Sequence, residues 1–355
     1  MRSLNVLALI LSAVAAAPAV GQENTDPPIP VIEPVAEQTE AREHPLAAEA
    51  REVRAVMETV LADKKAKLKT SESKKARLRL HTDFKSSRNP KAAMKATEEV
   101  LQAMLWGFGP YEAGDEKVWQ RDDHPIELYM IQDEDLYLRI IDELVVIAPR
   151  YKGFLESCRN GTGFTLYPAR LAVYYHNVKI QAEARIDHSI AHNAAHLELH
   201  RRYGFTPLPL AEGIACAAEE IALGGIWANW YRDEFVLAVS HDGWRGAATK
   251  NVVLKLDLQE LWNYPGNPYN DDRAHLAYGF AVFAMDAKPA ELHKFYRQIQ
   301  ALYDAHPEQG GLYKVEPATL AELAEQAFGP DLQAEFRAYW AEKTPKTPKI
   351  SKLRG

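Results

Sequence analysis

The sequence predicts an α+β protein in which a small mixed sheet precedes a mainly helical half. Segments with the alternation of strands are concentrated before about residue 180, and almost every later segment has the apolar spacing of a helix. Strands first and helices afterwards indicate an α+β domain.

The composition is that of an ordinary globular chain. Its 355 residues are 47% hydrophobic and 26% charged, which excludes collagen-like, fully disordered and polytopic membrane proteins. The net charge of −7 argues against a surface that binds nucleic acid, which would be strongly basic. Two cysteines, Cys158 and Cys216, are too few for a disulfide scaffold, although they could pair in an oxidising compartment.

The first 21 residues have the pattern of a signal peptide. Arg2 precedes the apolar run Leu4 to Val14, and Ala17 and Ala19 provide small residues at the spacing of a cleavage site. We therefore expect residues 1–21 to be removed and the protein to be exported, to the periplasm or the extracellular space, with no membrane span after cleavage. An uncleaved anchor is the alternative, but the apolar run is short for a full span.

The remaining chain divides by composition into four parts. Residues 22–44 are rich in proline and glutamate and predict a disordered linker. Residues 45–74 form an N-terminal helical segment by their spacing, and residues 75–343 form the main domain. The lysine-rich residues 344–355 predict a basic tail.

The domain begins with elements of both kinds. Period-two alternation from 78 to 84 predicts a strand, and Pro90 opens a helix that extends to about residue 106. An apolar run predicts a second strand over 126–131, and a helix follows over 134–147.

The later elements are two short strands and a series of helices. The strands, 163–167 and 171–176, are separated by Pro168. The helices are predicted over 182–203, 209–223, 274–286, 289–304 and 317–342.

A cluster of histidines lies on the first of these helices. Four of the twelve histidines, His188, His192, His196 and His200, fall within thirteen residues. Because a helix turns about 100° per residue, His192 and His196 lie about 40° apart and can face one metal ion. His188 and His200 are about 18 Å apart along the axis and cannot join the same ion. Hydrogen bonding of all four to carboxylates or carbonyls is the alternative without a metal.

Two glutamates on the next predicted helix are candidates to complete the site. Glu212 lies sixteen residues beyond His196, after a turn at 204–207, so an antiparallel return could bring its carboxylate to both imidazoles. Glu219 is two helical turns further along, on the same face as Glu212. It could accept a hydrogen bond from a ligand histidine or could face solvent.

These residues carry a resemblance to a known family. The sequence SIAHNAAH (189–196), followed by PLPLAEGIACAAEE, resembles the H-E-x-x-H … W-L-x-E-G-x-A-x-x-x-E signature of gluzincin metallopeptidases. It is most similar to the peptidase-MA-like domains of bacterial secreted proteins of unknown function, and the similarity covers about residues 75–343. The resemblance implies a zincin-like fold, one zinc ion held by His192, His196 and Glu212, and a peptide or protein ligand.

The sequence departs from this signature at the catalytic position. The family has glutamate after the first histidine, as the general base that accepts a proton from zinc-bound water, whereas this chain has Asn193. An asparagine amide cannot accept and return that proton. Tyr278 or His275 could take the place of the family's oxyanion-stabilising group, with packing as the alternative for Tyr278. The remaining histidines of the cluster, His188 and His200, would support the ligands or pack beside them.

Three functions are therefore consistent with the sequence. The first is an exported zinc-binding pseudo-peptidase, with little or no ordinary peptide hydrolysis, that serves as a binding module. The second is an active zinc metallopeptidase with a non-standard general base, and the third is a metal-free structural or interaction protein. Asn193 favours the first over the second, and the three ligand positions favour the first over the third. The sequence leaves enzymatic activity and the oligomeric state open.

Overall fold

The computed structural model describes most of the chain from Pro45 onward. The residues it describes are 45–63, 65–109, 124–161, 163–176, 186–226, 244, 246, 256–263, 271–307 and 309–342. The predicted signal peptide (1–21), linker (22–44) and basic tail (344–355) lie outside these residues.

The described residues form strands and helices in the order expected of an α+β chain. The strands are β1 (Lys69–Ser73), β2 (Leu78–Thr82), β3 (Ile126–Ile131), β4 (Gly163–Leu166) and β5 (Leu171–Tyr175). The helices are α1 (Pro45–Ala62), α2 (Arg88–Phe108), α3 (Glu134–Ile147), α4 (Lys152–Cys158), α5 (Ile186–Tyr203), α6 (Leu208–Leu223), α7 (Gln259–Trp262), α8 (Asp271–Ala287), α9 (Pro289–Ala305), α10 (Pro317–Phe328) and α11 (Leu332–Glu342). Within this part of the chain, no helix combines the length and the apolar composition needed to cross a membrane.

The strands form one mixed sheet in the order β1-β2-β3-β5-β4. The central pairs, β2 with β3 and β3 with β5, are parallel, whereas β1 and β4 pair antiparallel at the two edges. Parallel neighbours require a crossover, and α2 lies in the chain between β2 and β3 while α3 and α4 lie between β3 and β5. The predicted α+β class with a small mixed sheet is confirmed.

Both faces of the sheet are covered by helices. On one face, residues of β3 and β5 such as Leu128 and Tyr174 pack with Ile190 and Leu197 of α5, while β2 contacts α2. The opposite face packs against α1, α3 and α4 through residues such as Tyr129. The helix that carries the four histidines therefore lies directly on the sheet.

The C-terminal half has a core of its own that begins at α5 and α6. Its buried residues come from α2, α5, α6 and the helices from α7 to α11. Cys216 lies in this core, whereas Cys158 lies in the core beneath the other face of the sheet. Both cysteines are buried, and the structure contains no disulfide bond between them.

The structure differs from the sequence prediction in four elements: β1 lies within the segment predicted to be helical (45–74), α4 and α7 were not predicted, and the helix predicted over 317–342 is interrupted. The strand β1 has the sequence KTSES and four exposed residues, so it lacks the apolar alternation that marks a strand and is held by backbone pairing to β2. The helix predicted over 317–342 is two helices, because Gly329 adopts φ +92° and Pro330 follows it.

The approach of α6 to α8 gives a test of this packing. A Cβ at Gly213 would lie 2.7 Å from the backbone carbonyl carbon of Ala277, whereas a Cβ at Gly153 of α4 would meet nothing within 4 Å. We expect Gly213→Ala to lower the free energy of unfolding by about 1–3 kcal/mol, because a backbone cannot move aside like a side chain.

The matched control is Gly153→Ala, which we expect to raise the free energy of unfolding by about 0.5–1 kcal/mol through helix propensity. Urea denaturation of both variants measures the difference. Equal stability of the two variants would show that α6 and α8 do not approach as described.

Candidate metal centre

A short turn between α5 and α6 places the predicted ligands on facing helices. Helix α5 ends at Tyr203, where Gly204 adopts φ +71° and donates its N–H to the carbonyl of His200 at 2.7 Å. Helix α6 then begins after Pro207 and runs back along α5. The antiparallel direction follows from the contacts, since Glu212 meets His196 near the turn and Glu219 meets His188 further from it.

Three side chains form a compact triangle between the two helices. The Nε2 atoms of His192 and His196 are 3.1 Å apart. The carboxylate of Glu212 places Oε2 at 3.4 Å from His192 Nε2 and Oε1 at 3.3 Å from His196 Nε2. Both histidines are buried, and the Glu212 side chain is 12% exposed. This group could hold a metal ion.

The donor set and its spacing fit a bound metal ion. Two imidazole nitrogens and one carboxylate are common ligands of a metal that retains an open position. Two ligand atoms bound at about 2.0–2.1 Å with tetrahedral angles lie roughly 3.3–3.4 Å apart. The two imidazole nitrogens are 3.1 Å apart, and each lies 3.3 or 3.4 Å from a different oxygen of Glu212, so these distances are close to this separation.

Glu219 contacts His192 on the side of the imidazole ring that faces away from the triangle. Its side chain is fully buried, and its Oε2 accepts a hydrogen bond from His192 Nδ1 at 3.1 Å. Its Oε1 accepts one from His188 Nδ1 at 2.7 Å. A proton on Nδ1 of His192 leaves Nε2 directed into the triangle, which is the arrangement that supports a metal ligand. The structure therefore places Glu219 beside His192 rather than facing solvent, and His188 at Glu219 rather than in the triangle.

The carboxylates change the proton affinity of the site. Burial alone lowers the pKa of His192, but the hydrogen bonds with Glu212 and Glu219 outweigh it and raise this pKa to about 9. Burial likewise raises the pKa of Glu212, yet the facing His196 and His192 hold it well below its usual range. In the absence of a metal, His192 is therefore an imidazolium at neutral pH.

The fourth histidine packs beside the triangle and does not enter it. His200 stacks on Tyr167, with ring centroids 5.5 Å apart, and meets the edge of Phe205 at 4.8 Å. His196 lies one turn earlier on α5, and its Nδ1 is buried without a hydrogen-bond partner among the described residues. His200 thus fixes the aromatic surroundings of the site.

Asn193 and Tyr278 have partners that the sequence did not reveal. The hydroxyl of Thr165, on the edge strand β4, donates to Asn193 Oδ1 at 3.5 Å. The hydroxyl of Tyr278 donates to Glu220 Oε2 at 2.8 Å, and its ring meets the edge of Trp244 at 5.6 Å. The hydroxyl of Tyr278 is thereby turned toward Glu220, and this favours the packing role over that of an oxyanion stabiliser.

The sequence also missed the residues that the sheet contributes. Thr165 and Tyr167 come from β4 and the turn after it, and Tyr167 meets the edge of His196 at 6.4 Å between ring centroids. No local pattern marks them, because their positions depend on the order of strands in the sheet. Only the prediction that β4 is a strand pointed to this region.

Fold and site together define the class of the protein. It is an α+β chain in which two helices, packed on a mixed sheet, bring together a buried His₂Glu group that could hold a metal ion. Compared with models of known protein families and with curated protein sequences, the chain gives no match.

The raised pKa of His192 predicts a proton-linked metal affinity. Because its pKa is raised, protonated His192 stabilises the metal-free fold. This stabilisation is complete below pH 6.5, the pKa of the same histidine in the unfolded chain, and it is lost as the pH rises through about 9. Since a metal ion must displace the same proton, we expect zinc affinity to rise about tenfold per pH unit between pH 7 and 8. Calorimetric titrations in buffers of different ionisation enthalpy should show release of about one proton per zinc.

A pair of variants isolates the contribution of Glu219. Glu219→Gln removes one anion beside His192, so we expect fewer protons released at pH 8 and roughly 10–100-fold weaker zinc binding. The control is Glu198→Gln, another buried carboxylate, which pairs with Arg202 at 2.8 Å and should leave the proton count unchanged. Zinc affinity that is constant between pH 7 and 8 would contradict this account.

Proposed function

We propose that the protein is an exported zinc-binding protein with a gluzincin-like site that binds a peptide or protein ligand and has little or no ordinary peptide hydrolysis. The observation that carries the proposal is a compact triangle of two imidazoles and one carboxylate with a neutral amide, Asn193, beside it. Export is the part that depends on the predicted signal peptide, residues 1–21.

The choice of zinc is supported by the donor set and the spacing. Octahedral sites of non-haem iron also use two histidines and one carboxylate, but ligand atoms at about 2.1 Å with right angles would lie roughly 3.0 Å apart. The distances of 3.4 and 3.3 Å from the imidazoles to the carboxylate oxygens match the tetrahedral separation, whereas the 3.1 Å between the two imidazole nitrogens lies between the two geometries. A pair of histidines four residues apart on one helix is, moreover, a frequent zinc-binding arrangement.

The case against ordinary hydrolysis depends on the partners of the nearby carboxylates. Asn193 follows the first ligand and cannot act as a general base. Each glutamate on α5 and α6 has another partner in the structure: Glu198 pairs with Arg202, Glu212 with His196, Glu219 with His188 and Glu220 with Tyr278. Neither helix therefore supplies a replacement base, and this argues against the active-peptidase alternative.

The residues of the site would have separate roles in binding a metal ion and its ligand. His192, His196 and Glu212 would hold the ion, and Glu219 would orient His192. A zinc ion in this position would act as a Lewis acid toward an oxygen atom of the ligand. Asn193 can offer a hydrogen bond to the same ligand but cannot take up its proton.

Two measurements test this proposal. We expect protein purified without chelators to contain about one zinc per chain, and we expect His196→Ala to lose it because one ligand is removed. We also expect Asn193→Glu to create or raise chelator-sensitive cleavage of a peptide library, on the order of 10²–10⁴-fold, because a base is restored. Asn193→Gln is the matched control, equal in length to glutamate but uncharged.

Each alternative has its own result. Chelator-sensitive cleavage by the unmodified protein that His196→Ala abolishes would establish an active metallopeptidase instead. Protein that contains no zinc and binds none when it is added would leave a metal-free structural or interaction protein.

A further inference from the structure

A pocket opens beside the metal-ligand triangle. Its walls come from the start of α4, from β4 and the turn after it, from the end of α5 with the loop that follows, and from the first turn of α6. His196 lines this pocket and is also one corner of the triangle. A ligand in the pocket would therefore contact one of the residues that would hold the ion, and it would also contact Thr165, which reaches Asn193 at 3.5 Å.

The lining of the pocket is mainly aromatic and aliphatic. Tyr151, Phe154, Tyr167 and Phe205 contribute rings, and Leu208 adds an aliphatic side chain. Arg150 also lines the pocket, and its guanidinium lies 3.8 Å from the carboxylate of Glu49. Contacts between the rings hold this lining in place, since Tyr167 lies 6.4 Å from Phe205 in an edge-to-face arrangement. A preformed pocket of this kind accepts a planar ring or a large aliphatic group.

The charge beside the pocket favours an anion. Two neutral imidazoles and the Glu212 carboxylate would leave a divalent ion with a single positive charge, and the buried carboxylate of Glu219 lies behind His192, where it accepts hydrogen bonds from His192 and His188. A carboxylate at position 193 would cancel this charge and repel an anionic ligand, whereas the amide of Asn193 does neither. The Thr165 hydroxyl donates to Asn193 Oδ1, which leaves Nδ2 as the hydrogen-bond donor of the amide. Asn193 stands where the family that the sequence resembles has its general base, and its amide thus makes the site suited to a carboxylate ligand.

We propose that this site binds carboxylates that carry an aromatic or large aliphatic group, with the carboxylate at the ion and the Asn193 amide and the apolar group in the adjacent pocket. The inference rests on the proposed function, because it requires the bound ion. It names the ligand class as a free acid, such as the C-terminal residue of a peptide, and assigns Asn193 a binding role in place of the lost base.

Three probes separate the two halves of this ligand. The zinc-loaded full-length protein is titrated calorimetrically with 3-phenylpropionate, with propionate and with 3-phenylpropanamide. Burial of one ring is worth enough to expect roughly 10–100-fold tighter binding of 3-phenylpropionate than of propionate. The neutral amide should bind at least about tenfold more weakly than the acid, because it lacks the charge that the ion attracts.

Two variants assign these effects to residues. Asn193→Asp is close in size and adds a negative charge, so 3-phenylpropionate should bind about tenfold or more weakly while the zinc content stays at one per chain. Leu208→Trp fills the pocket from the first turn of α6 and should bring the affinities for 3-phenylpropionate and propionate together. Thr206→Trp, from the loop before α6, provides a second filling variant if the first does not fold.

The outcomes distinguish this inference from the function on which it rests. Zinc-loaded protein that binds propionate as tightly as 3-phenylpropionate would overturn the role of the pocket and leave the zinc-binding function standing. Zinc-loaded protein that binds the neutral amide as tightly as the acid would overturn the preference for a carboxylate. Failure to bind zinc would overturn both proposals together.

Discussion

The fully buried carboxylate of Glu219 is the constraint on which the site depends. A charge without exposure to water is tolerated only when it is paired, and Glu219 finds its partners in His188 and His192 of the facing helix. This pairing fixes α6 along and around α5. Because Glu212 lies two helical turns earlier on the same face, the same register brings its carboxylate to the Nε2 atoms of His192 and His196.

The sheet determines what surrounds this helix pair. Helix α5 packs on β3 and β5 through its apolar face, so its histidine face is turned toward α6 and toward the turn after β4. The edge position of β4 lets Thr165 reach Asn193 and lets Tyr167 stack on His200. The residues that could hold a metal ion therefore come from two helices, whereas the neighbouring aromatic wall comes largely from the sheet and its connections.

The sequence predicted interactions between residues that are close along the chain, and it missed interactions between residues that are far apart along it. The pairing of His192 with His196 and the shared face of Glu212 and Glu219 depend on helix periodicity, which is local and regular. The antiparallel return depended only on the short turn at Gly204. Contacts of Thr165 and Tyr167 with the site, by contrast, depend on a sheet order that no local pattern encodes. Strand β1 was missed for a related reason, since backbone pairing rather than side-chain burial holds it.

The most direct test of the central claim is X-ray absorption at the zinc edge of the purified protein. A zinc ion held by His192, His196 and Glu212 predicts two imidazole nitrogens and at least one carboxylate oxygen at about 2.0–2.1 Å, in a four- or five-coordinate environment. The imidazole signal should fall by half in His192→Ala if any zinc remains. A spectrum of six oxygen neighbours without imidazole, or one dominated by sulfur, would contradict the assignment of the ion to this triangle.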